Sequence, residues 1–340
     1  MAKKANKKTG SKKSSPSRSR SRALAKIIPA ETTLKYVLPG DGSDIYLDIM
    51  KDVSAINRRG MNQGQIVRVA GITIKQDAVV GESRILETTF KTLPLTWVAA
   101  QAYMKARMTW VAQQRRVRKE SGQVGIAPAY EDFKVFMDNG HRAAGNAATV
   151  DGAGNPVAQG EWDYSKLVYA DQTTNPETVR EPYLHIVGAD VGLTDLGLIQ
   201  AYEESRASVS GNQPNVPVNA NDNIYAWLTT GQDEGASSEI IQNMEAENDS
   251  PPYEIFNYPG GDSNYPTLVD KCYMQTSVAN PIVTTPPLDL MCGLLRIRSQ
   301  GRFVSGIDSG SPVTLPGTIL VHLVSGPKKG LLSLNVGDLV

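Results

Sequence analysis

Apolar and polar side chains alternate with a period of two along several short stretches of this 340-residue chain. Ile66-Val67-Arg68-Val69-Ala70-Gly71-Ile72-Thr73-Ile74 and Leu294-Leu295-Arg296-Ile297-Arg298 are the clearest. Such alternation marks strands with one buried face. Together with less regular runs they give the strand candidates Asp44–Ile49, Gln65–Gln76, Ile85–Leu93, Asp132–Met137, Tyr183–Gly188, Val269–Gln275, Leu288–Arg298 and Gly317–Val324. Gly, Pro, Asn and Asp bound these runs, and the connections are irregular and in places very long. Spaced strands without the alternating helices of a βαβ chain predict an all-β sandwich of two sheets.

One stretch has a helical period instead. Pro94 precedes it, Thr96 is placed to cap it, and residues 97–119 contain neither Gly nor Pro. Trp97, Ala100, Met104, Met108 and Val111 recur at spacings of three and four, which predicts an apolar stripe on a helix over about 96–119.

Charge changes the picture. The formal net charge is zero, yet residues 1–26 hold Lys3, Lys4, Lys7, Lys8, Lys12, Lys13, Arg18, Arg20, Arg22 and Lys26 and no acid. Removing these ten from 35 basic residues leaves 25 against 35 acidic ones, a body of formal charge −10. A basic tail on an acidic body predicts a polyanionic partner for the tail. Lys, Ser, Arg and Gly dominate residues 1–29, so this segment reads as a disordered arm and 30–340 as one globular domain. Residues 207–269 carry nine acids and no Lys or Arg, so 203–266 is expected to form long acidic surface loops or a projection, turned away from phosphates.

On a flexible arm, cations neutralise phosphates and release counterions, which gives affinity without sequence reading. The arm has no aromatic residue on which bases could stack. Its paired lysines also suit recognition by nuclear import machinery. Phosphorylating Ser17, Ser19 and Ser21 in the Ser-Arg run would cancel much of its charge. Arg115, Arg116, Arg118 and Lys119 close the expected helix; they either complement its dipole or form a second phosphate-facing patch.

From residue 44 to 140 the order of features resembles a known group. Ile45-Tyr46-Leu47-Asp48-Ile49 runs into Val53-Ser54-Ala55-Ile56-Asn57-Arg58-Arg59. A strand follows, then Leu93-Pro94-Leu95-Thr96-Trp97 opens the basic helix, and Tyr130-Glu131-Asp132-Phe133-Lys134-Val135 comes after it. This resembles capsid proteins of small circular single-stranded DNA viruses that encode a replication initiator, in particular stool- and environment-associated ones. The resemblance covers about 30% of the chain and implies a single jelly roll, a small icosahedral shell of sixty copies and a single-stranded DNA genome, with the virion and the host nucleus as locations. An RNA genome, or a cellular nucleic-acid-binding protein with a basic tail, would share the arm. Arg58 and Arg59 either touch nucleic acid or serve structure and subunit contacts.

No enzyme, cofactor or metal is expected. The turn Ile307-Asp308-Ser309-Gly310-Ser311 has no second copy to supply the paired carboxylates of an aspartic protease. His141, His185 and His322 stand apart, and Cys272 and Cys292 have no metal-ligand spacing. No signal peptide, transmembrane stretch, Walker A, HExxH or Gly-x-Ser-x-Gly pattern occurs. A soluble protein made in a reducing compartment is expected, and the sequon at Asn248 idle.

Overall fold

In a strand, every second side chain points to the same face, so the buried set of each strand fixes which way it looks. The computed structural model describes residues 28–77, 83–122, 125, 131–158, 160–171, 178–190, 194–206, 267–304 and 309–339. The arm at 1–26, the acidic stretch at 207–266 and Asp308 lie outside the described residues. Principal strands are β1 (Thr33–Leu38), β2 (Asp41–Asp48), β3 (Gln65–Gln76), β4 (Arg84–Thr92), β5 (Val269–Ser277), β6 (Ile282–Thr284), β7 (Leu288–Met291), β8 (Leu294–Phe303) and β9 (Gly317–Leu323).

These strands form two antiparallel sheets. One runs β1-β9-β3, with β6 and β7 both on the far side of β3; the other runs β2-β8-β4-β5. Counting β6 and β7 as one interrupted strand gives the orders 1-8-3-6 and 2-7-4-5. Neighbours in sequence thus fall in opposite sheets at nearly every connection. Leu34, Tyr36, Val67, Ile72, Ile319 and Leu290 from the first sheet meet Leu47, Phe90, Leu295 and Ile297 from the second in one buried cluster. The predicted two-sheet, all-β sandwich is what the chain forms.

Two connections show how the sheets are joined. Pro39-Gly40 turns β1 into β2; Gly40 has φ +68°, and a Cβ there would lie 1.8 Å from the Leu315 carbonyl oxygen. The expected single strand Leu288–Arg298 is instead two strands, broken at Cys292-Gly293 with φ 57° and 66°. Its continuous apolar pattern is real, but the turn carries the chain from one sheet to the other. In β3 the inward set Val67 and Val69 gives way to Ile72 and Ile74, a shift of phase matched by an irregularity opposite His322 and Leu323.

Other expectations need adjusting. Strand β2 ends at Asp48, where helix α1 (Ile49–Asn57) begins, and β1 and α1 were not anticipated. The expected strand at Tyr183–Gly188 covers only Tyr183–His185, in parallel with Asp195–Gly197. Asp132–Met137 is not a strand. It is extended, but its N–H groups go mainly to side chains: Lys134 N to Ser165 Oγ, Val135 N to Gln63 Oε1 and Met137 N to His141 Nδ1. Only Phe136 makes a bridge, to His185. Residues 203–206 end a helix over Leu198–Arg206, so the expected acidic loop does not begin at 203.

Helix α2 (Trp97–Glu120) is capped as predicted, with Thr96 Oγ1 accepting the Ala99 N–H at 3.4 Å. Its buried face is Val98, Ala99, Ala100, Ala102, Tyr103 and Ala106, while Met108 is 63% exposed. Of the expected stripe through Trp97, Ala100, Met104, Met108 and Val111, Ala100 is buried and Trp97 and Met104 pack against the cluster's edge; the helix docks mainly through alanines, which allow close approach. A second buried cluster gathers α2, Phe133, Val135, Leu184, Ile186 and Ile199 against Met291 and Leu294 at the end of the sandwich.

The crowding at Gly40 makes a specific expectation. Gly40→Ala should lower stability by about 2 kcal/mol or more, through collision and left-handed strain. Gly154→Ala, at φ +90° in open space, should cost only about 1 kcal/mol. Urea unfolding of both variants measures the difference, and equal losses would contradict the collision.

Candidate nucleic-acid interface

The segment that follows α2, residues 131–171 and here called the insertion, meets the sandwich at one buried carboxylate, among other contacts. Asp48 caps α1, accepting the Lys51 N–H at 3.1 Å. Its other oxygen accepts from Gln63 Nε2 (3.1 Å), Trp162 Nε1 (2.9 Å) and the Tyr164 hydroxyl (3.1 Å). Asp48 is fully buried, and four donors stand in for the water it has lost. Burial nevertheless pushes its pKa up. Gln63 also receives the Val135 N–H at 2.6 Å, and its own N–H donates to Asp132 at 2.8 Å.

A directed chain of hydrogen bonds leads into Asp48. The Met137 N–H donates to His141 Nδ1, which leaves the proton on Nε2; that atom donates to Asn146 Oδ1 at 2.7 Å. Asn146 Nδ2 donates to the Tyr164 oxygen at 2.7 Å, and Tyr164 donates to Asp48. His141 stacks on Tyr46 with ring centres 5.0 Å apart. Burial lowers its pKa to about 4, so it is a neutral structural residue at ordinary pH. One turn along α1, Asp52 is also buried and accepts the Tyr36 hydroxyl at 2.6 Å. Burial, with Asp48 nearby, raises its pKa to about 7.

This scaffold shapes a groove between α1 and the insertion. One hollow of about 480 Å³ is lined by Lys51, Arg58, Arg59, Lys134 and Lys329 with Glu131, Asp132 and Glu161. An adjoining hollow of about 570 Å³ shares Asn62, Asp132 and Lys329 and adds Arg107 and Lys328. Its acids are largely engaged: Glu131 pairs with Arg118, and Asp132 accepts from Gln63 N and Asn62 Nδ2. Lys51 and Arg58 make no ion pair among the described residues, and Lys134 Nζ sits 4.7 Å over the Trp162 ring. Arg59 donates to the Pro29 carbonyl at 2.8 Å, so the chain coming from the basic arm joins the domain at the edge of this groove.

The helix-end candidates are placed differently. Arg115 and Lys119 are exposed, Arg116 pairs with Glu120 at 2.7 Å, and Arg118 is half-buried against Glu131. Arg115, Arg116 and Lys119 thus leave an exposed basic end on α2, and α2 also supplies the groove with Arg107. Lys51, Arg107, Lys134 and Lys329 escaped the sequence reading because they lie in four separate segments. The signals in the sequence were the pairs Arg58-Arg59, which was noticed, and Lys328-Lys329, which was not. His185 donates from Nδ1 to the Val187 carbonyl and His322 bonds Thr73, both within the fold. Among the described residues no group of His, Cys, Asp and Glu is arranged to hold a metal, and no helix is long and apolar enough to cross a membrane. The chain matches no protein-family model, no curated protein and no solved structure.

The two buried titrating groups oppose each other with pH. Asp52 has a folded pKa near 7 against an ordinary 3.8, so its contribution is present below about pH 4 and lost as pH rises to 7. His141, near 4 when folded against 6.5, loses stability as pH falls from 6.5 to 4. Asp52→Asn should therefore be more stable than the parent at pH 8, by about 2–4 kcal/mol, and should lose stability on acidification where the parent stays nearly level. Urea melts at pH 4.5, 6 and 8 read this, and an unchanged pH profile would contradict it.

Proposed function

We propose that this chain is a capsid subunit that assembles into a small closed shell and packages single-stranded DNA through its basic N-terminal arm. The observation that carries the reading is the strand order. The principal strands of the two antiparallel sheets, in the orders 1-8-3-6 and 2-7-4-5, support reading the domain as an eight-stranded jelly roll, an architecture used by viral shell proteins. The arm supports it chemically, since ten cations without an acid suit a polyanion held by charge. The meeting of Pro29 with the cation-lined groove places the root of the arm beside a surface of the same sign. The two-sheet antiparallel sandwich behind that arm favours packaging over a cellular nucleic-acid-binding role.

In this reading the arm neutralises the genome while the sandwich and its loops make the contacts between copies. The partners are further copies of the chain, sixty in the simplest icosahedral shell, and the nucleic acid itself. The arm's charges do not discriminate DNA from RNA; the resemblance over residues 44–140 favours DNA.

Purified full-length protein should form uniform closed particles roughly 20 nm across in electron micrographs, the size expected for about sixty subunits at interior packing density. A monodisperse monomer that never assembles, with or without nucleic acid, would overturn the proposal. Digestion of the nucleic acid in authentic particles by deoxyribonuclease but not ribonuclease supports a DNA genome; the reverse result assigns RNA.

A further inference from the structure

We infer that the groove between α1 and the insertion is a phosphate-holding site for the packaged strand, with Arg58 as its principal grip and Lys51, Lys134 and Lys329 around it. This rests on the packaging function proposed above and adds to it a second, fixed binding element in the folded domain.

Backbone conformation is the first argument. Among the described residues only Arg58, Cys292 and Lys329 have positive φ without being glycine, at 52°, 57° and 55°. Two of the three are basic and line the same hollow. Arg58 follows the last residue of α1 and donates its N–H to the Ser54 carbonyl. Glycine or asparagine does this at no strain, whereas a side chain with a Cβ costs about 1–2 kcal/mol. Helix capping therefore does not explain why arginine stands there. Strain held at a site with a common charge is the pattern expected where the side chain serves a ligand.

Charge and access are the second. Five cations line the hollow against three acids, and two of the acids are already held by Arg118, Asn62 and the Gln63 N–H. Arg58 is exposed, and neither it nor Lys51 makes an ion pair among the described residues, the Lys51 charge acting on buried Asp52 by its field alone. Lys134 is only 9% exposed, with its ammonium over Trp162, and Lys329 donates to the Gly60 carbonyl. A tetrahedral anion with several acceptor oxygens fits such a ring of donors. At about 480 Å³ the hollow exceeds a single phosphate and admits a stretch of strand.

Position is the third. Ile28 and Ala30 pass directly over Gly330, beside Lys329. A strand gathered by the arm is thereby delivered to the groove at high local concentration.

The test is anisotropy of a labelled oligothymidylate with the full-length chain over a salt series, beside thermal melts. Arg58→Gly should melt at the parental temperature or above, bind roughly 3- to 10-fold more weakly, and show a salt slope shallower by about 0.7–1. Lys51→Gln should weaken binding in the same sense, and serves as the readout if Arg58→Gly fails to fold. Lys271→Gln, on exposed β5, should leave affinity unchanged. Parental affinity and slope in a folded Arg58→Gly or Lys51→Gln overturns the inference. If the parent then still binds through its arm, packaging stands; if the parent does not bind oligothymidylate at all, both readings fall. Inorganic phosphate at constant ionic strength separates a free-anion site. If it raises the melting temperature of the parent but not of Arg58→Gly, while both bind oligothymidylate equally, the strand-holding role is overturned.

Discussion

A buried carboxylate without a cation is among the more demanding groups a protein can contain, and Asp48 is that constraint here. Its two oxygens take an N–H from α1, an amide from the β3 approach, and an indole and a phenol from the insertion. Removing any donor leaves a buried charge less well satisfied, so the three segments are held to one geometry together. The groove walls belong to those same segments: Lys51 and Arg58 to α1, Lys134 and Trp162 to the insertion. Where Lys51, Arg58 and Lys134 stand thus depends on an acid that only Lys51 touches, through its backbone N–H.

Asp52 shows what the arrangement costs. Two carboxylates one helical turn apart in a dry site cannot both ionise cheaply. Tyr36, the Lys51 charge and the Thr149 backbone N–H relieve part of this, and the folded state keeps a proton on Asp52 to about pH 7. Neutral His141 belongs to the same balance, since protonating it would set an N–H against the Met137 N–H that it now accepts.

Much of the sandwich was legible in the sequence. Gln65–Gln76 is the strand that alternation predicted, because its inward residues face a continuous core. Thr96 capped the predicted helix because its hydroxyl bonds only locally. What failed depended on partners distant in sequence. Asp132–Met137 has the pattern of a strand, but Gln63, Ser165 and His141 replace the ladder, and no period reveals them. Met108 looked like a core residue until alanines proved to be the docking face. The groove was nearly invisible, for its cations come from α1, α2, the insertion and Lys328-Lys329; each adjacent pair alone says nothing of the others.

The interruption between β6 and β7 has a consequence for crowding. Pro286 and Pro287 occupy the break and have no N–H to offer a neighbouring strand. On the other side of the same sheet, Val150 N and Thr149 Oγ1 already occupy the Lys35 carbonyl of β1, and Ala147 N occupies that of Tyr46 on β2. Three of the four sheet margins are therefore blunted within the chain itself. At high subunit concentration this disfavours open-ended ribbons growing by strand addition, a kinetic trap that competes with any closed assembly. In the closed shell proposed above, contacts between copies then fall to faces and loops.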